Sequence, residues 1–410
     1  MTRNRYILLI LILGSLSTIS PFSIDMYLPG FPAIASELGV SISQVQLSLT
    51  AYLLGIAMGQ LLYGPMLDRF GRKKPLYVGL VIYIISSFLC ALSTSLESLI
   101  AMRFLQALGG CVGMVAAQAF VRDLFPMRKT AQAFSSIILV IAVSPMIAPT
   151  LGGYITVAFG WHAVFIILAL LTLLILLATY FLLPEGKKAD PEISLKPASI
   201  LRNFILVMKQ PQFSIYTLTS GIATSATFAY IAASADVFLN LYKATEREYG
   251  WIFAFVASGL IGSAQFNHLL LKRYTSQQLV KYALAYQTVM GTMLVAGVWF
   301  GWYNIIGLTI MIFLFVLGQG LIGPNSSALA LAPFSKHAGS ASSLLGSFRM
   351  LIGGLVTVWV STWYDGTAFP MVVVMWLCVI SGILILGSAK VTVRYRARRR
   401  MVEDEPSVLL

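Results

Sequence analysis

Twelve runs of apolar residues, each long enough to cross a bilayer, constrain this chain more than any other feature of its sequence. A bilayer core takes about 20 apolar residues in a helix. The runs cover roughly 6–27, 43–64, 75–94, 97–120, 131–157 and 162–183, then 213–238, 248–271, 279–300, 303–332, 338–363 and 367–389. In hydrocarbon every backbone N–H and C=O must be satisfied within its own segment, so such runs become helices. Two sets of six, separated by the longest polar stretch, imply an internal repeat with a binding site between the halves. The expected fold is therefore an all-α membrane protein of 12 transmembrane helices in two pseudo-symmetric six-helix bundles, 1–184 and 213–390. A cytoplasmic linker, 185–212, joins them, and a cytoplasmic tail, 391–410, follows. Within the linker, the amphipathic stretch from Ile200 to Lys209 is short enough to lie along the inner surface.

Composition excludes a soluble protein, since 58% of residues are hydrophobic and only 10% charged. The net charge of +13 does not indicate nucleic acid, because the cations are scattered among short loops rather than gathered on one face. Topology accounts for them. With both termini cytoplasmic, 24 of the 28 Lys and Arg fall inside, Lys243 and Arg247 fall outside, and Arg103 and Arg349 lie within the membrane. Cys90, Cys111 and Cys378 sit inside apolar runs and read as small core residues. Arg3 and Arg5 precede an apolar run with no small-residue cleavage site, which reads as a retained first helix. The tail from Arg394 to Glu405 is too poor in apolar residues to fold and is expected on anionic lipid.

Between the second and third runs lies Gly64-Pro65-Met66-Leu67-Asp68-Arg69-Phe70-Gly71-Arg72-Lys73-Lys74. Its four cations place it at the cytoplasmic face. Gly71 permits a backbone conformation that other residues resist, Gly64 lets two helices approach closely, and Asp68 suits an arginine or a helix N-terminus. A basic topogenic loop needs no such fixed spacing.

The first run ends in Ser23-Ile24-Asp25-Met26-Tyr27-Leu28-Pro29. A proline ring clashes with the carbonyl four residues back, so Pro29 disrupts the helix at Asp25 and Pro21 disrupts it at Ser17. An acid at this depth needs a cavity or a partner, and Arg103, in the outer part of the fourth run, is a candidate. Gln106, Gly110 and Met114 follow Arg103 at helical spacing, giving a semi-polar stripe suited to a central cavity. The pair reads either as a structural ion pair or as a proton switch, since burial and a nearby arginine pull a carboxyl's proton affinity in opposite directions. In the fifth run, Pro145 and Pro149 share a face, and Gly152 and Gly153 permit close packing, a combination suited to gating. Asp236, near the outer end of the seventh run, fits either a second proton or cation site or a helix cap. Tyr27, Tyr52, Gln118, Phe228 and Tyr230 suit a mostly apolar cavity with a few polar anchors. His162, His268 and His337 lie near helix ends, without metal-ligand spacing. No phosphate-binding glycine loop or nucleophile elbow is present, so an ion gradient is the expected energy source, with no cofactor and no metal.

The turn from Gly64 to Lys74 resembles the signature between the second and third helices of the major facilitator superfamily. Together with the stretch ending in Asp25-Met26-Tyr27-Leu28-Pro29, with Met102-Arg103-Phe104-Leu105-Gln106, with Pro145 to Gly153, and with Ala341-Ser342-Ser343-Leu344 and Arg349, it resembles the drug/proton antiporters of the bicyclomycin-resistance group. The resemblance implies that Asp25 and Arg103 take part in proton coupling. It implies that Gly64, Asp68, Arg69, Gly71 and Arg72, with Arg122 at the inner end of the fourth helix, latch the halves in the outward-facing state. It further implies that the proline-glycine stretch marks an exporter. The fifth-helix stretch departs from the pattern in carrying Ser144-Pro145 and Ala148-Pro149 where many exporters have Gly-Pro, and the second-half turn near Leu271-Lys272-Arg273-Tyr274 has lost the acid and glycines.

The expected activity is proton-coupled efflux of drugs or other amphipathic small molecules across a bacterial inner membrane by alternating access. An exporter dedicated to one metabolite, such as an amino acid or siderophore, has the same fold and remains open. A membrane-embedded enzyme is disfavoured by the lack of clustered catalytic groups, and a non-transporting sensor by the coupling charges. The expected partners are the small-molecule substrate, protons and membrane lipid, with no nucleic acid, and a monomer is expected. Gln106, Met114 and Arg349 complete the residues expected around the substrate.

Overall fold

The computed structural model of the protein describes residues 3–192, 195–334 and 338–403. His337 and the last tail residues, Asp404 and Glu405 among them, lie outside these. The regular structure among the described residues is helical, in the order α1 Arg3–Asp25, a short 3₁₀ turn Leu28–Gly30, α2 Phe31–Leu38, α3 Ile42–Arg69, α4 Lys73–Ala91, α5 Leu96–Leu124, α6 Met127–Phe159 and α7 Trp161–Leu182. Then come α8 Pro197–Met208, α9 Pro211–Ala235 with a π-helical turn Asp236–Leu241, α10 Glu246–Leu270, α11 Ser276–Trp299, α12 Ile305–Leu317, α13 Gln319–Leu331, α14 Ala338–Thr362 and α15 Phe369–Glu403.

Eleven helical segments among the described residues are long and apolar enough to cross a membrane, counting α1 with α2 and α12 with α13 as single spans. The 24-residue α11, which carries Gln277, Gln278, Lys281 and Gln287, completes the twelve. Capping boxes fix several starts: Ser41 with Gln44 opens α3, Thr245 with Glu248 opens α10, and Thr275 with Gln278 opens α11.

α1 stops at Asp25, where the missing N–H and the ring of Pro29 were expected to end it. Pro21, by contrast, leaves α1 continuous, and the Ser17 hydroxyl donates to the Leu13 carbonyl at 2.9 Å. The last helix runs on to Glu403. The backbone from Arg394 to Arg400 is therefore helical, contrary to the expectation of an unfolded tail. Extending an existing helix needs no new nucleus, and Arg, Ala and Met are good helix formers.

α1 to α7 pack as one bundle and α9 to α15 as the other, and the bundles meet along α3 against α14 and α6 against α10. The end carrying the Gly64–Lys74 turn is here the turn end, and its opposite the far end. α8 packs one face on the protein and leaves Leu201, Ile205 and Leu206 exposed on the other. Its Phe204, Val207 and Met208 pack on Phe213, Ala330, Leu344 and Leu345 at the turn end of the second bundle.

Candidate functional site

The semi-polar stripe of α5 begins at Arg103, which is fully buried. Its guanidinium carbon lies 4.1 Å from the Tyr52 ring centre, 4.4 Å from that of Tyr27 and 5.6 Å from that of Phe165. Nη1 donates to Gln106 Oε1 at 2.6 Å and Nη2 to the Ser23 carbonyl at 2.9 Å. Gln106 in turn donates to the Ser87 hydroxyl at 2.7 Å. Carbonyls in the last turn of a helix lack helical partners, so the stop after Asp25 supplies the Ser23 acceptor. Cation–π attraction strengthens when the cation is desolvated, so three rings and two neutral acceptors hold this arginine without a carboxylate.

The expected pairing of Arg103 with Asp25 is absent. Asp25 is 4% exposed, and its carboxylate makes no ion pair or hydrogen bond among the described residues. It lies at the end of α1, close enough to Tyr230 and Tyr249 of the second bundle for its charge to act on both. Gln106 Oε1 and the freed Ser23 carbonyl take the Nη1 and Nη2 donors, while Nε has no hydrogen-bond partner among the described residues.

The far end is sealed around Asp25 by two seams. In the first, Thr50 bonds Thr357 at 2.6 Å and Ser361 donates to Gln46 Oε1 at 2.6 Å, joining α3 to α14. In the second, α6 meets α10 backbone to backbone. A Cβ at Gly153 would lie 2.5 Å from the Glu246 carbonyl oxygen, and one at Gly250 would lie 2.8 Å from Thr150 Cα and 3.0 Å from the Pro149 carbonyl oxygen. Gly152 faces its own bundle, against the Met26 carbonyl. Pro145 and Pro149 lie within α6, which continues through both.

Toward the turn end a cavity of about 630 Å³ lies between the bundles. Gln60 and Gly64 of α3, Met114, Gln118 and Arg122 of α5, Phe204 of α8, and Ser343, Arg349 and Met350 of α14 line it, with Asp68 and Arg72 at its edge. Arg349 Nη2 donates to Ser220 Oγ and the Gly323 carbonyl, both at 3.0 Å. Gly64 makes the close approach expected of it, since a Cβ there would lie 3.0 Å from Ser343 Oγ.

At the turn itself Arg72 is the hub. Its Nη1 meets Asp68 Oδ1 at 2.5 Å and its Nε meets Asp123 Oδ2 at 2.7 Å. Burial alone would lower the Arg72 pKa, but the hydrogen bonds and charges of Asp123 and Asp68 together raise it above its ordinary value. Asp123 also accepts the Lys187 N–H at 2.9 Å, and the Asp190 N–H reaches the carbonyls of Asp68 and Arg69 at 3.3 and 3.2 Å. Gly71 adopts φ +83°, the left-handed conformation expected of it. Arg69 stands 5.9 Å over the Phe70 ring. Arg122 lines the cavity, and it is Arg72 that binds Asp68.

The sequence profile of the Major Facilitator Superfamily matches residues 13–358. The chain belongs to the major facilitator superfamily. It is 33% identical over 381 residues to the bicyclomycin resistance protein homolog of Haemophilus influenzae, spanning 92% of this chain and 94% of that one. That likeness places it in the bicyclomycin-resistance group. The chloramphenicol resistance protein of Pseudomonas aeruginosa is 27% identical over 92% of this chain and 89% of its own. Among solved structures, a D-xylose-proton symporter matches with a TM-score of 0.73 at 14% identity, over 95% of this chain and 97% of that one, a likeness of fold. The protein is a multi-pass membrane transporter of small molecules with the major facilitator fold of twelve helices.

Of the residues expected around a substrate, Met114, Gln118 and Arg349 line this cavity, whereas Tyr27, Tyr52, Gln106, Phe228 and Tyr230 do not. Tyr27, Tyr52 and Gln106 belong to the cage of Arg103 and are buried. Tyr230 stacks on Phe253 at 5.5 Å, and the Phe228 ring lies against Gly353 of α14. A stiff aromatic ring buries most apolar area by packing on a neighbour, and these four rings found neighbours in the protein, while Gln106 is held by Arg103 and Ser87. Asp236, 3% exposed, accepts from Asn240 Nδ2 at 2.7 Å, and it caps no backbone N–H among the described residues.

Sequence reasoning missed Asp123, Gly250 and the α3–α14 polar seam. Gln46 and Thr50 are spaced by four, as are Thr357 and Ser361, so two matched polar stripes inside apolar runs were the available signal. Asp123 had a signal too, as an acid in the last turn of a helix, where the dipole disfavours it without a cation.

Proposed function

We propose that this transporter exports drugs or other amphipathic small molecules across a bacterial inner membrane in exchange for entering protons, by alternating access. The turn end is cytoplasmic, as are both termini, in keeping with the excess of Lys and Arg there. The observation that carries the reading is a buried, unpaired Asp25 set at the closed seam of the far end, with a cavity on the other side of the seam. An acid buried without a cation is costly when ionised, so opening the seam to water and ionising Asp25 go together. A ligand that favours one face of the cycle then biases proton occupancy, and the proton biases the ligand in return. Arg103 acts as the fixed positive charge near that acid, with Asp236 as a second acid at similar depth in the other bundle. The Arg72 hub, the flanking Gly64–Gly71 turn and Arg122 form the latch at the turn end, and Pro145 to Gly153 form the gate at the far end.

The test is substrate-induced proton release from the purified, detergent-solubilised protein across a panel of antibiotics, dyes and metabolites. Wild type is expected to release protons with several unrelated compounds, and Asp25→Asn to bind them and release none. Full release by Asp25→Asn would overturn the assignment of the coupling acid, and release with one metabolite alone would narrow the reading to a dedicated exporter.

A further inference from the structure

The charge pattern of the cavity allows the export reading to be taken one step further, to the class of molecule carried. Three cations, Arg72, Arg122 and Arg349, and one anion, Asp68, line the cavity among the described residues, and Asp68 is already bound to Arg72. Arg349 lies deepest of these, about 16 Å along α14 from its first residue at 1.5 Å per residue. Its Nε and Nη2 are fixed by Ser220 Oγ, at 3.3 and 3.0 Å, and by the Gly323 carbonyl at 3.0 Å. Both are neutral. Nη1 has no partner among the described residues, and no carboxylate there lies within ion-pair distance of the guanidinium. An ionised group at membrane depth without a counter-charge is costly, and a guanidinium whose fork is already oriented is suited to bind an oxyanion.

The opposite chemistry is missing. A cationic amphiphile is recognised by a carboxylate or by a cage of aromatic rings. The cavity offers no uncommitted acid and, among the described residues, one aromatic ring, that of Phe204. The one aromatic box nearby, Tyr27 with Tyr52 and Phe165, is filled by Arg103 of the protein itself. Met114 and Met350 supply the adaptable apolar surface for the remainder of such a molecule.

We infer that the cavity selects amphipathic molecules bearing an oxyanion, a carboxylate or sulfonate, and that Arg349 is the residue that binds this group. The inference rests on the transport reading only for its consequence, since binding itself needs no proton. Three probes that share one fluorophore test it: dansylglycine as the anion, dansylamide as the neutral form, and dansylamidoethyl-trimethylammonium as the cation. Equilibrium binding to the full chain in lipid nanodiscs is expected to favour the anion over the cation by tenfold or more. Arg349→Gln should remove that preference, weakening dansylglycine at least tenfold more than dansylamide, and Arg349→Lys should retain part of it. Gln118→Glu, which adds an acid to the facing wall, should shift preference toward the cation and serves if Arg349→Gln does not fold. Equal or tighter binding of the cation to wild type, a preference that survives Arg349→Gln, or no binding of any probe would overturn the inference. Proton release recorded on the same samples judges the antiport reading separately, because an anion preference without release supports the selectivity and counts against the coupling.

Discussion

Replacing Gly153 by Ala puts the far-end seam to the test with a single methyl group. The new Cβ would lie 2.5 Å from the Glu246 carbonyl oxygen, where ordinary contact begins at 3.4 Å, so α6 and α10 must part by about 0.9 Å. Overpacking of this kind costs about 1–3 kcal/mol, and here only the conformation with the far end closed bears it. At about 1.4 kcal/mol per tenfold, the closed-to-open ratio should fall roughly 5- to 140-fold. Ser361, 7% exposed and bonded across the α3–α14 seam, is the reporter when changed to Cys. The three native cysteines are all buried, so the background of labelling is low. In Ser361→Cys protein, a water-soluble maleimide should react faster by that same factor once Gly153→Ala is added. An unchanged rate together with unchanged thermal stability would refute the argument, because a methyl group accommodated without cost means the helices do not touch there.

Other positions give sharper single readouts. Gly71→Ala forces a Cβ into φ +83° and should cost about 1–2 kcal/mol in detergent thermal unfolding, with Gly71→Asn closer to wild type. Asp123→Asn takes a charged partner from Arg72 and should expose the chain at Lys187 and Lys188 to trypsin roughly fivefold faster, about 1 kcal/mol after allowance for solvent at this edge. Arg103→Lys keeps the charge but loses the planar fork that reaches Gln106 and Ser23 together. It should destabilise the fold by about 2–4 kcal/mol, and a wild-type melting temperature would contradict the cage.

The spans, the stop at Asp25 and the left-handed Gly71 were legible because each rests on local chemistry: hydropathy over a run, a proline four residues on, a glycine between charged neighbours. The partner of Arg103 was not. Helical rise gives the depth of Asp25 and Arg103, but rotation about each helix decides which groups meet, and apolar spans that face lipid on one side and protein on the other carry little amphipathic signal to fix it. The same gap explains why Tyr27, Tyr52 and Gln106 were expected at the cavity and lie in the wall behind it. Gly153 was legible as a site of close packing, while its counterpart Gly250 became visible only when α10 was placed opposite α6. Asp123 was not legible because only the placement of α5 beside the turn brings its carboxylate to Arg72.

Where the bundles meet, neutral polar bonds and close backbone approaches supplement the apolar contacts, and the proposed alternating cycle depends on their opening. Leu13, Leu16, Leu49 and Phe120 of the first bundle are wholly buried in a hydrophobic core that continues into the second bundle through residues such as Tyr230 and Phe253, and separating such groups exposes apolar area. Between bundles, the Thr50–Thr357 and Gln46–Ser361 bonds are neutral, and such bonds contribute only about 0.5–1.5 kcal/mol each because water can replace the partner. The α6–α10 seam adds glycine-backbone contacts, the Thr150 hydroxyl donating to the Gly250 carbonyl at 3.3 Å, and the Arg247 guanidinium 5.2 Å from the Tyr154 ring centre. At the α3–α14 seam Leu53 and Leu54 also lie against Gly354, so in the proposed cycle a ligand or a proton worth a few kcal/mol would have to shift a seam that mixes such apolar contacts with neutral polar bonds.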